Sequence, residues 1–452
     1  MSKFNLAMLA ISVAALSACG GGTSESRDEA PAARGTIVYG TLAGHATQAQ
    51  IDAGTSASGL QPLSGKARCE VDVRYVYYIT RDPAGQPTTA SAGVLVPTGS
   101  DAACTGSRPV LLYAHGTATQ KSYNLADVSN NREASLMMAM YAAQGFIVIA
   151  PNYLGYERSS LGFHPYLNAE AQAVDMVDGL RAGIAHLKAE SGTKASDKLL
   201  ISGYSQGGHV ALATHKVIER DYGSEFKVTA TAPMSGPYNL VGFADTVVNV
   251  QPSAGSTLFS MLLLNSYQKS YGNIYGSASE AYQAPFDATA ETLLPTDTPI
   301  ADLMAAGKLP ADPTFARLFG TGGLLKDSFK ASYASSNFRK ALQANTLLGM
   351  NTRRPIALCG GKADPTVFFD INTPVTAADL KSRGVPVMGA YDLETLSTLP
   401  AGATGQTVYY GFQQAKAAAG SSVQAQYHGG LVPPFCNALA RGFFQQVIAA
   451  GL

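Results

Sequence analysis

The sequence predicts an α/β fold with a mostly parallel central sheet, covered by helices and carrying an inserted helical cap. Apolar runs typical of buried strands alternate with amphipathic helical patterns through the first half of the chain. Such alternation builds parallel sheets with helices on both faces. Between about 236 and 350 the alternation stops and Tyr, Ser, Ala and Leu dominate, and it resumes towards the C-terminus. We therefore interpret 236–350 as a helical insertion into the sheet fold.

The individual elements follow from hydrophobic periodicity and from turn residues between the runs. An antiparallel strand pair opens the fold, joined by a turn at Asp82-Pro83, and a long amphipathic helix covers 169–189. The predicted strands are 71–78, 90–96, 109–114, 146–150, 198–203, 228–232, 355–359 and 423–426, and the other predicted helices are 133–143, 207–220 and 434–450.

Composition excludes several classes of protein. Of 452 residues, 46% are hydrophobic and only 14% are charged, which is incompatible with a disordered chain or a coiled coil. Basic and acidic residues both number 32, so the net charge is zero. Nucleic-acid binding normally leaves a basic footprint. We therefore expect no nucleic-acid partner, and no pattern indicates an oligomeric state.

The N-terminus has the pattern of a processing signal. Lys3 precedes an apolar run, and Leu16-Ser17-Ala18-Cys19 matches the bacterial lipobox, in which the cysteine sulfur takes a lipid. This predicts a signal peptide over 1–18, a lipid on Cys19, a flexible tether over 19–35 and a folded domain over 36–452. An ordinary secretory signal is the alternative. The protein is expected to be exported and either lipid-anchored, with the outer membrane favoured, or secreted.

Export places the other cysteines in an oxidising compartment. Cys69, Cys104, Cys359 and Cys436 remain after Cys19, and four cysteines allow three pairings. We favour Cys69–Cys104 and Cys359–Cys436, because each pair lies within one terminal region. The sequence contains no C-x-x-C and no H-E-x-x-H, so we expect no metal site.

Gly203-Tyr204-Ser205-Gln206-Gly207 is a G-x-S-x-G motif placed between a predicted strand and a predicted helix. A tight turn in this setting exposes the serine oxygen, and side chains in place of Gly203 and Gly207 would collide across it. A plain turn or a phosphate-binding loop is the alternative, but the sequence has no G-x-x-x-x-G-K-[ST]. Ser205 is therefore the predicted nucleophile.

A serine nucleophile needs a base, and the base needs a carboxylate to orient it. His428 lies between the last predicted strand and the C-terminal helix, and His164, in a loop, is the alternative base. Asp364 follows the predicted strand 355–359 in a Gly- and Pro-containing loop, and Asp370 is the alternative acid. The chain order of serine, acid and histidine then matches the order expected for this motif.

The oxyanion formed during acyl transfer needs backbone donors aimed at one point. One candidate is the amide of Gln206, directly after Ser205. The second should come from the loop that ends the strand 109–114, where Gly116 and Thr117 are candidates and Thr117 is favoured. His115 is interpreted as a residue that shapes this loop.

Together these residues resemble the α/β-hydrolase superfamily and, within it, the secretory lipase family. The resemblance rests on the segments 115–117, 150–156, 203–208, 361–364 and 428–429. It implies hydrolysis of carboxylic esters through an acyl-serine intermediate, no metal or organic cofactor, and a helical cap over the acyl pocket. One departure is Asn152, where relatives often carry an aspartate of structural rather than catalytic importance. A Cys359–Cys436 disulfide would tie the loop of Asp364 to the segment after His428.

The sequence thus favours an esterase or lipase that acts on a small-molecule or lipid ester. The apolar residues Leu258, Phe259, Met261, Leu262 and Leu263 are candidate acyl-pocket residues, or alternatively a buried cap helix. A peptidase or acyltransferase with the same triad, or a non-catalytic surface lipoprotein, are the alternatives. No acidic cluster of the peptidase kind is evident, and a complete triad disfavours a non-catalytic protein. Acyl chain length and the alcohol group are left open.

Overall fold

The computed structural model describes residues 33–190 and 192–452, and 33–452 form one compact unit. The predicted signal peptide and Cys19 lie outside the described residues, as does most of the predicted tether. Nine strands are present in the described part, and they form a single sheet in the order β1-β2-β3-β5-β4-β6-β7-β8-β9. The strands are β1 Ile37–Ala46, β2 Glu70–Arg81, β3 Pro87–Thr98, β4 Ser107–Ala114, β5 Ile147–Pro151, β6 Lys194–Tyr204, β7 Val228–Met234, β8 Ile356–Gly360 and β9 Val387–Asp392.

The sheet is antiparallel at one end and parallel over the rest. β1, β2, β3 and β5 pair antiparallel in turn, and all pairs from β5 to β9 are parallel. β2 and β3 are in register along their full length, from Glu70 opposite Thr98 to Arg81 opposite Pro87. The predicted α/β class with a mostly parallel sheet is confirmed.

Helices cover both faces of the sheet. The helices before the insertion are α1 Gln48–Ala57, α2 Gln61–Ser64, α3 Arg132–Met140, α4 Ala169–Glu190 and α5 Gln206–Asp221. The helices between β7 and β8 are α6 Leu240–Asn249, α7 Ser256–Tyr271, α8 Ala278–Ala281, α9 Ala290–Leu293, α10 Ile300–Ala305, α11 Asp327–Ser332 and α12 Asn337–Ala344. The last helices are α13 Phe369–Ser382, α14 Ala403–Ala419, α15 Val423–Gln426 and α16 Val432–Ala449.

Strand alternation divides the core into two layers. In β4, Leu111 and Tyr113 face the layer that includes α3 and α16, whereas Val110 and Leu112 face the layer that includes α4 and α5. Period-two alternation in strands buried on both faces produces this pattern. The helices α6–α12 enclose a separate apolar cluster, so this part of the chain has a core of its own.

Three features of the fold differ from the prediction or were not foreseen. The predicted strand over 423–426 is wrong, because Val423–Gln426 form the short helix α15. The edge strands β1 and β9 were not predicted. β1 is exposed along most of its length, so it lacks the apolar alternation by which strands are identified. β9 forms the sheet edge beside β8.

Two disulfides confirm the expectation of disulfide bonds. Cys69 bonds to Cys104, and Cys359 bonds to Cys436. Disulfides are typical of exported proteins, so both agree with export. Within residues 33–190 and 192–452, we find no helix with the length and hydropathy of a membrane span.

Candidate active site

The turn between β6 and α5 holds Ser205 in a strained backbone conformation. Its φ of 58° and ψ of −121° lie in a region that non-glycine residues rarely adopt. A Cβ at Gly207 would overlap the carbonyl oxygen of Ala114, and one at Gly203 would overlap that of Gly207. The Ser205 amide also donates to the carbonyl of Met234 on β7, at 2.9 Å. The turn is thus packed against both neighbouring strands, and only glycine fits at its two flanking positions.

A hydrogen-bonded row joins Ser205 to His428 and Asp364. The Oγ of Ser205 lies 2.7 Å from Nε2 of His428, and Nδ1 of His428 lies 2.6 Å from Oδ2 of Asp364. Asp364 is buried, and its Oδ1 accepts from the amides of Thr366 at 2.8 Å and Val367 at 3.1 Å. These two amides leave Oδ2 free for the imidazole. The arrangement allows a hydroxyl proton to pass to His428 while Asp364 holds the ring.

His428 is placed by a helical turn rather than by an open loop. It lies in the π-helical turn Tyr427–Leu431, which leads directly into α16. Tyr204, next to Ser205 in the chain, donates from its hydroxyl to the carbonyl of His428 at 2.5 Å. The prediction placed His428 in a loop after a strand over 423–426. In the structure His428 lies instead in a helical segment that is hydrogen-bonded to Tyr204, next to Ser205.

The segment His115-Gly116-Thr117 follows β4 and lies beside Ser205. A Cβ on Gly116 would lie 3.8 Å from Cβ of Ser205. The amide of Gly116 donates to both carboxylate oxygens of Glu133, at 3.1 and 3.2 Å. That amide is therefore engaged, which favours Thr117 over Gly116 as the second oxyanion donor. Thr117 itself contacts Tyr166 through its hydroxyl at 2.9 Å.

An apolar pocket includes Ser205 and Gln206 in its wall. Most of the other wall residues belong to the cap, and the loop that contains Asp364 adds Thr366 and Val367. The main apolar side chains are Leu240, Phe243, Val247, Phe259, Leu263 and Phe319. A concave apolar pocket with a few polar groups at one place is the usual form of a small-molecule site.

The structure resembles solved hydrolases over most of its length. The esterase LipA from Xanthomonas oryzae, described as rice cell wall degrading, is 27% identical in a ligand-bound form, with a TM-score of 0.70 over 87% of this chain and 98% of that chain. A protein of Legionella pneumophila assigned as a hydrolase is 19% identical, with a TM-score of 0.71 over 91% of this chain and 98% of its own. Candida antarctica lipase A is 12% identical, with a TM-score of 0.54 over 81% of this chain and 80% of its own.

The chain has the α/β-hydrolase fold. The family model described as Chlorophyllase matches residues 75–252, a range that contains Ser205 but neither Asp364 nor His428. A search of the curated proteins found no match. The two relatives below 25% identity support the fold alone. The similarity to LipA, together with the shared fold, supports an esterase-like or lipase-like hydrolase.

The structure brings Ser205, Asp364 and His428 together and separates the two alternatives from them. His164 is buried, its Nδ1–H donates to the carbonyl of Leu154 at 2.8 Å, and its Nε2 accepts from the side-chain amide of Gln206 at 2.6 Å. Burial lowers the pKa of His164 to about 3, far from the value that suits a general base near neutral pH. Asp370 is exposed in the first turn of α13.

His115 and Asn152 have structural contacts, as predicted for His115. The His115 ring is stacked between Tyr153 at 3.9 Å and Tyr123 at 4.5 Å, and its burial lowers its pKa to about 4. Buried Asn152 donates from its side chain to Ser91 at 2.9 Å and accepts from the amide of Leu125 at 2.8 Å. Asn152 therefore ties the end of β5 to β3 and to the loop after β4.

Only part of the predicted acyl-pocket set lines the pocket. Phe259 and Leu263, four residues apart on α7, lie in its wall. Leu258, Met261 and Leu262 instead pack into the core of the cap. One helix presents different residues to its two sides, and a continuous apolar run does not reveal which side faces the pocket. The α6 residues Leu240, Phe243 and Val247 were missed, although their 3–4 residue spacing was a usable signal.

Among the described residues, His, Cys, Asp and Glu side chains form no group of three or more suited to a metal ion.

Three residues that contact the site were not predicted from the sequence, namely Tyr204, Glu133 and Tyr427. Tyr204 lies inside the G-x-S-x-G motif, so its position was a signal. Glu133 and Tyr427 reach the site through contacts between distant segments, which no local pattern indicates.

Proposed function

We propose that this protein is a serine hydrolase of carboxylic esters. Ser205 attacks the ester carbonyl while His428 takes the hydroxyl proton. The alkoxide leaving group departs with a proton from His428, which leaves an acyl-serine and a free alcohol. Water then attacks the acyl-serine with His428 again as base, and the acid is released.

Asp364 and two backbone amides complete the proposed mechanism. The carboxylate of Asp364 holds His428 with its Nε2 towards Ser205 and stabilises the imidazolium. The amides of Gln206 and Thr117 stabilise the negative oxygen of each tetrahedral intermediate. The observation that carries the proposal is the row from Ser205 Oγ through His428 to Asp364, with contacts of 2.7 and 2.6 Å, at the wall of an apolar pocket.

The pocket wall supports an ester with an apolar acyl group as substrate. Burying hydrocarbon against such a wall is favourable by about 0.8 kcal/mol per methylene. The similarity to an esterase described as degrading the rice cell wall supports ester hydrolysis as the reaction.

Attachment to a membrane through a lipid on Cys19 remains part of the proposal. The native protein should incorporate labelled palmitate, and Cys19→Ser should not.

The experiment is hydrolysis of p-nitrophenyl esters from acetate to palmitate by the native protein and by Ser205→Ala. We expect the variant to fold and to lose about 10⁴-fold or more in kcat, because removal of a triad member has this scale of effect. A maximum at long chains would identify a lipase, and one at short chains an esterase. Full activity in Ser205→Ala would refute the proposal.

A further inference from the structure

Glu133 is a carboxylate that the proposed mechanism does not use, although it contacts the oxyanion loop. It is the second residue of α3, whose N-terminus is capped by Asn131 accepting from the amides of Glu133 and Ala134, both at 3.0 Å. The side chain turns back towards β4 and reaches the Gly116 amide. An acidic residue in the first turn of a helix is favoured by the helix dipole.

Every hydrogen-bond partner of the Glu133 carboxylate is a donor. The hydroxyl of Tyr113 donates to Oε1 and that of Tyr123 to Oε2, both at 2.8 Å. The Gly116 amide donates to both oxygens. Burial raises the pKa of Glu133, and these three hydrogen bonds oppose that rise. A carboxylate with only donors around it is held in one orientation, and it holds its partners in turn.

Gly116 is held at both of its backbone polar groups. Glu133 accepts from its N–H, and Nδ1 of His115 lies 2.6 Å from its carbonyl oxygen. That carbonyl and the N–H of Thr117 belong to one planar trans peptide, so they point in opposite directions. Holding the Gly116 residue at both ends therefore fixes the direction of the Thr117 amide.

We propose that Glu133 is a positioning residue of this enzyme, which acts by holding Gly116 so that the Thr117 amide stays aimed at the oxyanion. The inference rests on the proposed function. The Glu133 carboxylate bonds to Tyr113, Tyr123 and Gly116, so its effect on the oxyanion passes through the backbone of Gly116. Preorganised donors are valuable because they need no rearrangement when charge develops in the transition state.

The test compares Glu133→Gln with the matched control Asp178→Asn. Gln keeps the size but loses the charge that strengthens the hydrogen bond to Gly116. Asp178 is also a buried carboxylate, but it accepts from Arg34, Thr80 and Arg181, none of which belongs to the loop of Gly116. We expect kcat of Glu133→Gln to fall about 10-fold or more with KM within about 3-fold, a fraction of the ~10²–10³ lost with a whole oxyanion donor. Asp178→Asn should stay within about 3-fold in both constants.

A second readout separates positioning from general destabilisation. A trifluoromethyl ketone forms a tetrahedral adduct with the serine and mimics the intermediate, so its affinity should fall in parallel with kcat in Glu133→Gln. Unchanged kcat, or a lower kcat with unchanged ketone affinity, would overturn the positioning role. Should Glu133→Gln fail to fold, the double variant Tyr113→Phe/Tyr123→Phe replaces it. Its kcat and its affinity for the ketone must then fall together.

Ser205→Ala, assayed beside these variants, distinguishes the two proposals. Activity retained in Ser205→Ala would refute the proposed function itself. Activity lost in Ser205→Ala but complete in Glu133→Gln would refute only the role of Glu133.

Discussion

Ser205 and the pair formed by Asp364 and His428 lie in one hydrogen-bonded row, but different forces hold them in place. Ser205 depends on a single continuous segment, the strand β6, the turn and the helix α5. Its surroundings are backbone atoms of the neighbouring strands, approached so closely that Gly203 and Gly207 admit no side chain. The position of Ser205 is thus set by steric exclusion around one motif.

Asp364 and His428 come from segments 64 residues apart in the chain. Two long-range links join those segments. The Cys359–Cys436 disulfide connects the strand before Asp364 with the helix after His428. The hydroxyl of Tyr427 accepts from the amide of Ala363 at 3.3 Å and donates to Glu394 at 2.7 Å. The alignment of Asp364 with His428 therefore depends on both links together.

The two halves of the site should therefore fail differently. A side chain forced into the nucleophile turn has nowhere to go, so the response should be all or none. Loss of one link between acid and base leaves the other, so the response there should be graded.

The largest effect is expected from Gly207→Ala. The new Cβ would overlap the backbone carbonyl of Ala114, and no flexible side chain can move aside to relieve the clash. We expect a loss of more than about 3 kcal/mol in the free energy of unfolding, with no measurable esterase activity. Soluble yield and thermal unfolding followed by circular dichroism measure this.

Gly429→Ala is the matched control for that substitution. Gly429 is next to His428, within its helical turn, and a Cβ there would meet no atom within 4 Å. This variant should have the same free energy of unfolding and the same esterase activity as the native protein. A folded, active Gly207→Ala would contradict steric exclusion as the origin of the Ser205 geometry.

An intermediate effect is expected from removing the Cys359–Cys436 disulfide by alanine substitutions. The free energy of unfolding should fall by about 2–4 kcal/mol, because the unfolded chain loses a constraint. kcat should fall about 10-fold, since small misplacements of catalytic groups are costly. Urea unfolding and ester hydrolysis are the measurements.

The Cys69–Cys104 disulfide is the control, because it lies in a small cluster of its own with Ala103. Its removal should destabilise the protein on the same scale without lowering kcat of the folded fraction. Equal losses of kcat in both double variants would mean that the Cys359–Cys436 disulfide has no special role in aligning Asp364 and His428.

The acid stability of the protein is expected to depend on His164, which contacts Gln206 beside Ser205. Burial lowers the pKa of His164 to about 3 in the folded state, against 6.5 as its ordinary value. Because the folded value is the lower one, the neutral ring contributes stability that is complete above about pH 6.5 and is lost as pH falls towards 3. The slope from one such group is at most about 1.4 kcal/mol per pH unit.

His164→Gln should therefore flatten the dependence of unfolding free energy on pH between 6.5 and 4. Urea unfolding at several pH values would measure the slope for the native protein and the variant. The exposed His45, which pairs with Asp72 at 2.9 Å, provides a control in His45→Gln. An unchanged slope in His164→Gln would mean that His164 takes up its proton without loss of the native structure.

Local chemistry allowed much of this protein to be predicted from its sequence. The G-x-S-x-G motif, with its steric need for glycine, located Ser205 and its turn. Buried parallel strands are apolar runs, so all of them except β9 were identifiable. The Gly- and Pro-containing loop after β8 pointed to Asp364, and the loss of strand–helix alternation pointed to the cap. In each case the physical requirement lies within a few consecutive residues.

Tertiary structure alone decided the remainder. The edge strands β1 and β9 owe their place to pairing with a neighbour rather than to apolar alternation. Val423–Gln426 became helical although its short pattern resembles a strand. Which residues of α7 line the pocket depends on how that helix packs against the cap. The contacts of Glu133 and Tyr427 join residues 10 to 64 positions apart in the chain, and such hydrogen bonds exist only once the sheet has assembled.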